Sequence, residues 1–167
     1  SIFTTIARQW GLKFDFNRSG VLVAVDKDSM KSEMNWDFTN CPDLAPTVIA
    51  VNAALGIRGI YTGMQTLRLK ESDRIHSMHI NLEKVGVGLQ VQESDKSNKL
   101  KVVQEGKFQD TENLEIDPYD DHRIAMACGL WAVLGRVTVG NSELVNNSYP
   151  DLWDQMKKVV FKITRTN

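Results

Sequence analysis

The 167-residue chain has 42% hydrophobic and 25% charged residues and a formal net charge of −1. That is enough to bury a core as one domain or two small ones, and the near-neutral balance argues against a nucleic-acid or membrane-surface binder, which would carry a basic excess. No apolar run approaches a membrane span and no leader signature opens the chain, so a reducing cytoplasm is the expected setting.

In chain order, Phe3, Ile6, Ala7 and Trp10 recur at helical spacing, and Gly11 ends that helix. Residues 12–16 and 21–25 read as two strands around the turn Asn17-Arg18-Ser19-Gly20, and the polar stretch 26–40 reads as loop. Residues 44–55 are apolar on every side, which predicts a buried helix ending at Gly56; a strand follows at 59–63. Ser72 is positioned to cap the next helix, whose stripe is Ile75, Met78, Leu82 and Val85 and whose stop is Gly86. Residues 89–92 and 100–103 predict a second hairpin around Ser94-Asp95-Lys96-Ser97-Asn98, with loop continuing to Tyr119. Residues 124–134 are again apolar all round, 136–139 reads as a strand, and Leu152, Met156, Val159 and Val160 mark a last amphipathic helix.

The order helix, strand, strand, buried helix, strand thus occurs twice. Asp43 and Asp121 stand 78 residues apart, as do Asp73 and Asp151. This spacing predicts two repeats of an α/β module, about 1–70 and 71–149, followed by a C-terminal helix at 150–162. The predicted architecture has sheets outside and buried helices inside. Repeated modules usually number more than two, and the chain opens on Ser1 already in a helical pattern, which suggests a piece of a longer protein.

Two short stretches concentrate opposite charges at helix starts: Lys70-Glu71-Ser72-Asp73-Arg74 and Asp120-Asp121-His122-Arg123. Unpaired amides and the helix dipole make such ends receptive to anions. Arg74 adds a planar fork for carboxylate or phosphate, Lys70 a compact charge, and Glu71 a proton donor if apolar walls raise its pKa. The plain alternative is a solvated turn in which Glu71 and Asp73 pair with Lys70 and Arg74. At the second turn Asp121 can cap, and Arg123 enters an apolar helix and so needs a partner: a bound anion, or Asp120 or Asp121. His122 is either a proton carrier or a backbone-bonded side chain. Asp43, after Cys41-Pro42, is either a helix cap or a general base facing a substrate hydroxyl.

Other features carry less. His76 and His79 are three apart, but no further ligand lies at metal spacing, so a surface pair is expected. Cys41 and Cys128 fit no metal pattern and read as reduced thiols. The four tryptophans read as packing. There is no glycine-rich phosphate loop.

The strings Cys41-Pro42-Asp43-Leu44-Ala45-Pro46-Thr47, Leu67-Arg68-Leu69-Lys70-Glu71-Ser72-Asp73-Arg74-Ile75, Asp121-His122-Arg123-Ile124-Ala125-Met126-Ala127 and Ser148-Tyr149-Pro150-Asp151 together resemble the C-terminal part of the 5-enolpyruvylshikimate-3-phosphate synthases, in order and spacing over nearly the whole chain. The resemblance implies one domain of an inside-out α/β barrel of repeated βαβαββ-type units, with substrates held between two domains. It implies transfer of the enolpyruvyl group of phosphoenolpyruvate to the 5-hydroxyl of shikimate 3-phosphate, with loss of phosphate and no metal or organic cofactor. By carry-over, Asp43 takes the hydroxyl proton, Lys70 binds near that hydroxyl and Glu71 protonates the methylene carbon. Arg74 and Arg123 hold phosphoenolpyruvate, with His122 beside them. Asn147 stands where the family usually has a lysine contacting that substrate, a loss worth about 1–3 kcal/mol of binding. The family's N-terminal half, which supplies most contacts to shikimate 3-phosphate, is not in this sequence, so the chain is expected to carry half a cleft and to be inactive alone. The alternatives are a related enolpyruvyl transferase acting on UDP-N-acetylglucosamine, against which the two charged strings argue, and a noncatalytic anion-binding module.

Overall fold

A computed structural model describes residues 1–93, 100–110, 112–159 and 161–164. Helix α1 (Ile2–Gln9) opens on a capping box between Ser1 and Thr4, and Gly11, at φ +79°, turns the chain into the hairpin of β1 (Leu12–Asn17) and β2 (Gly20–Val25). A side chain at Gly11 would drive into the Asp26 carbonyl. Ile6 and Ala7 are fully buried, whereas Phe3 is 45% exposed, so the predicted stripe buries only its C-terminal half.

The stretch expected to be loop contains a strand, β3 (Glu33–Asp37), reading EMNWD. Its charged residues hide the alternation, yet Met34 is fully buried. β3 pairs in parallel with β4 (Arg58–Thr62), and α2 (Ala45–Leu55) is the crossover that a parallel pair requires. Gly56 closes α2 in the left-handed conformation at φ +69°.

Helix α3 (Arg74–Glu83) buries Ile75, Met78 and Leu82, with Val85 just beyond it, as the apolar spacing predicts. Its cap is Asp73 and not Ser72: Asp73 Oδ1 accepts from the amides of Ile75 and His76, both at 3.1 Å, while Ser72 turns toward Asp121 and Ser77. The second hairpin, β5 (Val87–Glu93) with β6 (Leu100–Gly106), forms as expected; its predicted turn lies outside the described residues. A second strand hides in a predicted loop: β7 (Leu114–Ile116), parallel to β8 (Val137–Val139). The helix expected over 124–134 divides into α4 (His122–Gly129) and a 3-10 turn at Leu130–Val133. That tightening accompanies the indole N–H of buried Trp131 donating to the Ala50 carbonyl at 2.9 Å. The last helix is shorter than predicted, α5 (Leu152–Lys157), and of its stripe Val160 lies outside the described residues.

β4 also pairs antiparallel with β6, giving the four-stranded order β3-β4-β6-β5; β1-β2 and β7-β8 are separate pairs. The element orders α1-β1-β2-β3-α2-β4 and α3-β5-β6-β7-α4-β8 are the same. α2 packs against α4 in the interior and also meets β4 and β6 of the four-stranded sheet, while α3 contacts both helices and packs on β5. The fold is mixed α/β with its apolar helices inside.

A buried polar chain locks these layers. Trp10 donates to Asn52 Oδ1 at 2.7 Å, Asn52 donates to the Tyr61 hydroxyl at 2.7 Å, Tyr61 donates to Gln104 Oε1 at 2.7 Å, and Gln104 donates to the Ile49 carbonyl at 3.1 Å. Every group in it has a partner, the condition under which buried polar atoms define one packing rather than destabilise it.

Candidate active site

The inner helices present their N-terminal ends to one place. Asp43 lies in the 3-10 turn Pro42–Leu44 that leads into α2. It makes no capping bond there, so its carboxylate remains available. Lys70 and Glu71 follow the 3-10 turn Gln65–Leu69, and Arg74 is the first residue of α3. Asp121 caps α4, its Oδ1 accepting from the Arg123 amide at 2.9 Å, and so projects Arg123 from the first turn.

The centre is Arg74, whose side chain is only 1% exposed. Its Nε donates to Asp121 Oδ2 at 2.7 Å, one terminal nitrogen to Asp43 Oδ1 at 2.9 Å and the other to Glu71 Oε2 at 2.6 Å. Asp121 is fully buried and also accepts from Ser72 at 3.2 Å. Burial works against the charge of Arg74, but the bond to Asp121 and the fields of Asp121, Glu71 and Asp43 more than restore it, raising its pKa. A buried guanidinium with three carboxylates around its fork is a structural hub.

Around that hub lies a half-exposed rim. Asp43 Oδ2 is 3.0 Å from Arg123, and Oδ1 is 3.6 Å from Lys70. Burial alone would raise the Asp43 carboxyl; the charges of Arg123, Lys70 and Arg74 outweigh it and hold the group below the usual carboxylate range. The side chains of Lys70, Arg123, Asp43 and Glu71 are 33, 35, 44 and 50% exposed, so two cations and two carboxylates border solvent on one wall.

The structure therefore brings together Asp43, Lys70, Glu71, Arg74 and Arg123, drawn from three separate segments. It changes the partner expected for Arg123: its guanidinium pairs with Asp43, and among the described residues no ion pair joins it to Asp120 or Asp121. It also sets Arg74 apart from the rim, since its fork is occupied by protein carboxylates. His122 begins α4 and is half-buried; Asn147 ends the 3-10 turn Ser142–Asn147, which packs on α4, and is exposed. Among the described residues no hydrogen bond or ion pair joins either side chain to the cluster. His79 lies 3.4 Å from Glu83, and His76 meets the Tyr119 ring edge-on. Cys128 is buried beside Met78 and Cys41 is partly covered; both thiols are free, and burial pushes that of Cys128 up.

The contribution sequence reading missed is the second function of Asp121. Its capping role is written locally, but its bond to Arg74 spans 47 residues and leaves no local mark.

The sequence model of the family described as EPSP synthase (3-phosphoshikimate 1-carboxyvinyltransferase) matches residues 5–156. The chain belongs to the EPSP synthase family. Among its curated relatives, a 3-phosphoshikimate 1-carboxyvinyltransferase of Clostridium acetobutylicum is 36% identical over 146 residues, covering 81% of this chain and 32% of the relative. One from Dehalococcoides mccartyi is 32% identical, covering 80% and 30%, and one from Bacteroides fragilis is 28% identical, covering 92% and 36%. The chain thus spans about a third of the length of the curated relatives it matches. A solved EPSP synthase from Acinetobacter baumannii superposes with a TM-score of 0.59 at 20% identity, over 93% of this chain and 38% of that one, which supports the fold. The chain carries its charged strings at the starts of α3 and α4.

Proposed function

We propose that this chain supplies one wall of the active site of a 3-phosphoshikimate 1-carboxyvinyltransferase, transferring the enolpyruvyl group of phosphoenolpyruvate to the 5-hydroxyl of shikimate 3-phosphate. Family membership supports the reaction class. The observation that carries the reading is the Asp43 carboxylate lying between Arg123 and Lys70, with Glu71 held beside it through Arg74.

Both substrates are polyanions, and the accessible cations are Lys70 and Arg123. In the absence of substrate these cations are partly neutralised by Asp43. An anion that engages them draws their field away from Asp43, so its carboxyl becomes more basic as the substrates arrive. Asp43 then accepts the proton of the attacking hydroxyl while that oxygen bonds to C2 of phosphoenolpyruvate. Glu71, in its protonated form, delivers a proton to the methylene carbon, which requires that it release Arg74. The tetrahedral intermediate collapses by expelling phosphate, which leaves with the proton held by Asp43, while the methyl group returns a proton to Glu71, forming the enol ether. Before substrates arrive Arg74 holds Asp43 and Glu71 on one wall, and Asp121 keeps Arg74 in place. Asn147 adds no charge at its position, so Arg123 and Lys70 carry the electrostatic load.

One wall does not enclose a substrate or exclude water. The chain by itself is therefore expected to release no phosphate from phosphoenolpyruvate plus shikimate 3-phosphate at a rate useful against a full-length relative. Adding the N-terminal portion of such a relative in trans is expected to restore calorimetric binding of both substrates and measurable turnover. Turnover by the chain alone comparable to a full-length relative refutes the half-site. Full activity of the complemented Glu71→Gln variant refutes the proton-donor role.

A further inference from the structure

Asp121 and Arg123 reach the cluster because the segment before α4 is held in an unusual conformation. Tyr119 and Asp120 are consecutive non-glycine residues in the left-handed region, at φ 52° and 57°. Such a pair is disfavoured for side-chain-bearing residues and persists only where its surroundings hold it. Asp117 Oδ1 accepts from the Tyr119 amide at 2.8 Å, and the Pro118 carbonyl accepts from the Asp121 amide at 3.0 Å. Asn141, itself at φ 42°, donates to Asp120 Oδ1 at 3.1 Å.

The anchor beneath this segment is Asn81, on α3 and fully buried. Its Nδ2 donates to the Ser77 carbonyl at 2.9 Å and to the Asp117 carbonyl at 2.8 Å, and its Oδ1 accepts from the Asp117 amide at 3.2 Å. One side chain thus grips both backbone polar groups of Asp117, as an adjacent strand would. It does so from the helix whose first residue is Arg74. The Asn81–Asp117 bonds and the Arg74–Asp121 bond thus tie the 117–121 segment to α3 at both its ends, and Arg123, just beyond, reaches Asp43 at 3.0 Å.

We propose that Asn81 is a positioning residue: by clamping Asp117 to α3 it holds the strained 117–121 segment and sets how far Arg123 reaches toward Asp43. The catalytic consequence rests on the transferase reading; the positioning itself does not. The charges facing Asp43 are Lys70 before α3, Arg74 at its start and Arg123 on α4, with Glu71 beyond Arg74. Losing the reach of Arg123 removes one of the three cations.

The test is the titration of Asp43 in the 167-residue chain, followed by carboxyl carbon NMR without substrate. In Asn81→Ala the Asp43 midpoint is expected to move up toward the ordinary aspartate value. Arg123→Ala is expected to move it in the same direction, and the double variant no further than Arg123→Ala alone. A folded Asn81→Ala with an unmoved Asp43 midpoint, or full additivity in the double variant, overturns the proposal. Should Asn81→Ala not fold, hydrogen exchange on the unmodified chain decides instead. The Asp117 and Asp121 amides are expected to open as one unit with matching protection; exchange of Asp121 more than tenfold faster than Asp117 overturns the clamp. Because no substrate enters these measurements, failure of the transferase reading leaves their outcome unchanged, and their failure leaves that reading standing.

Discussion

Arg74 and Arg123 are both cations at helix starts facing Asp43, yet they differ in burial, and burial decides their energetics. Removing Arg74 leaves Asp121 as a buried charge with its main partner gone, so Arg74→Leu is expected to lower unfolding free energy by about 3–5 kcal/mol in urea titrations. Arg123 is about one-third exposed, and Arg123→Ala is expected to change stability by less than about 1 kcal/mol. Equal losses would contradict the division into hub and rim. Asp43 also sets a pH dependence. Its carboxyl lies below the usual range when folded and returns to about 3.9 when unfolded, so the unfolded chain takes up protons first as pH falls. Its stabilisation is complete above the unfolded value and is lost as pH drops through the folded one. Asp26, bonded to Lys13, and Glu33, bonded to Arg58, act in the same direction. The urea midpoint is expected to fall more steeply from pH 5 to pH 3 in the unmodified chain than in Asp43→Asn.

Helices were legible where the apolar period and a stop residue agreed. The stripe Ile75, Met78, Leu82 and Val85 and the glycine stops at 11, 56 and 86 each mark a real feature because they depend on neighbours within one turn. Two strands were not legible. β3 mixes Glu33, Asn35 and Asp37 with Met34 and Trp36, and β7 is three residues long, so neither presents enough alternation to stand out from loop. What makes them strands is a parallel neighbour across a helix, which no local window contains. The same locality explains the misplaced cap of α3: Ser72 and Asp73 are both good caps, and the choice falls to Asp73 because Ser72 is drawn toward Asp121. Asp73→Ala is accordingly expected to lower stability by about 1 kcal/mol, read from the thermal midpoint. In β4, the ring of Tyr61 lies over Gly59 on the same face, leaving no space for a Cβ. Gly59→Ala is expected to displace Tyr61 from Asn52 and Gln104 and to lower stability by about 1–3 kcal/mol or more.

Across the whole molecule the two hairpins differ sharply. In β5-β6 the inward residues Val87, Leu89, Leu100 and Val102 are covered, whereas the matching face of β1-β2, formed by Phe16, Val21, Val23 and Val25 with Leu12 and Phe14, is about half to two-thirds exposed at its outer four positions. A contiguous apolar face of this kind promotes association. Val23→Lys is expected to raise the solubility limit, measured by light scattering against concentration, while moving the thermal midpoint little. A large loss of stability instead would mean that Val23 packs within the fold.

The amino-acid sequence by itself determined which charged residues stand at helix starts and which helices lie inside, because charge identity, apolar period and stop residues act over a few neighbouring positions. Only the tertiary structure decided how those residues are employed. Arg74 became a buried hub, Asp43 a rim carboxylate free of capping duty, and Asp121 a ligand of a residue 47 positions away. Each outcome depends on distances between segments, and such distances exist only once the burial of α2, α3 and α4 against one another has brought their N-terminal ends together.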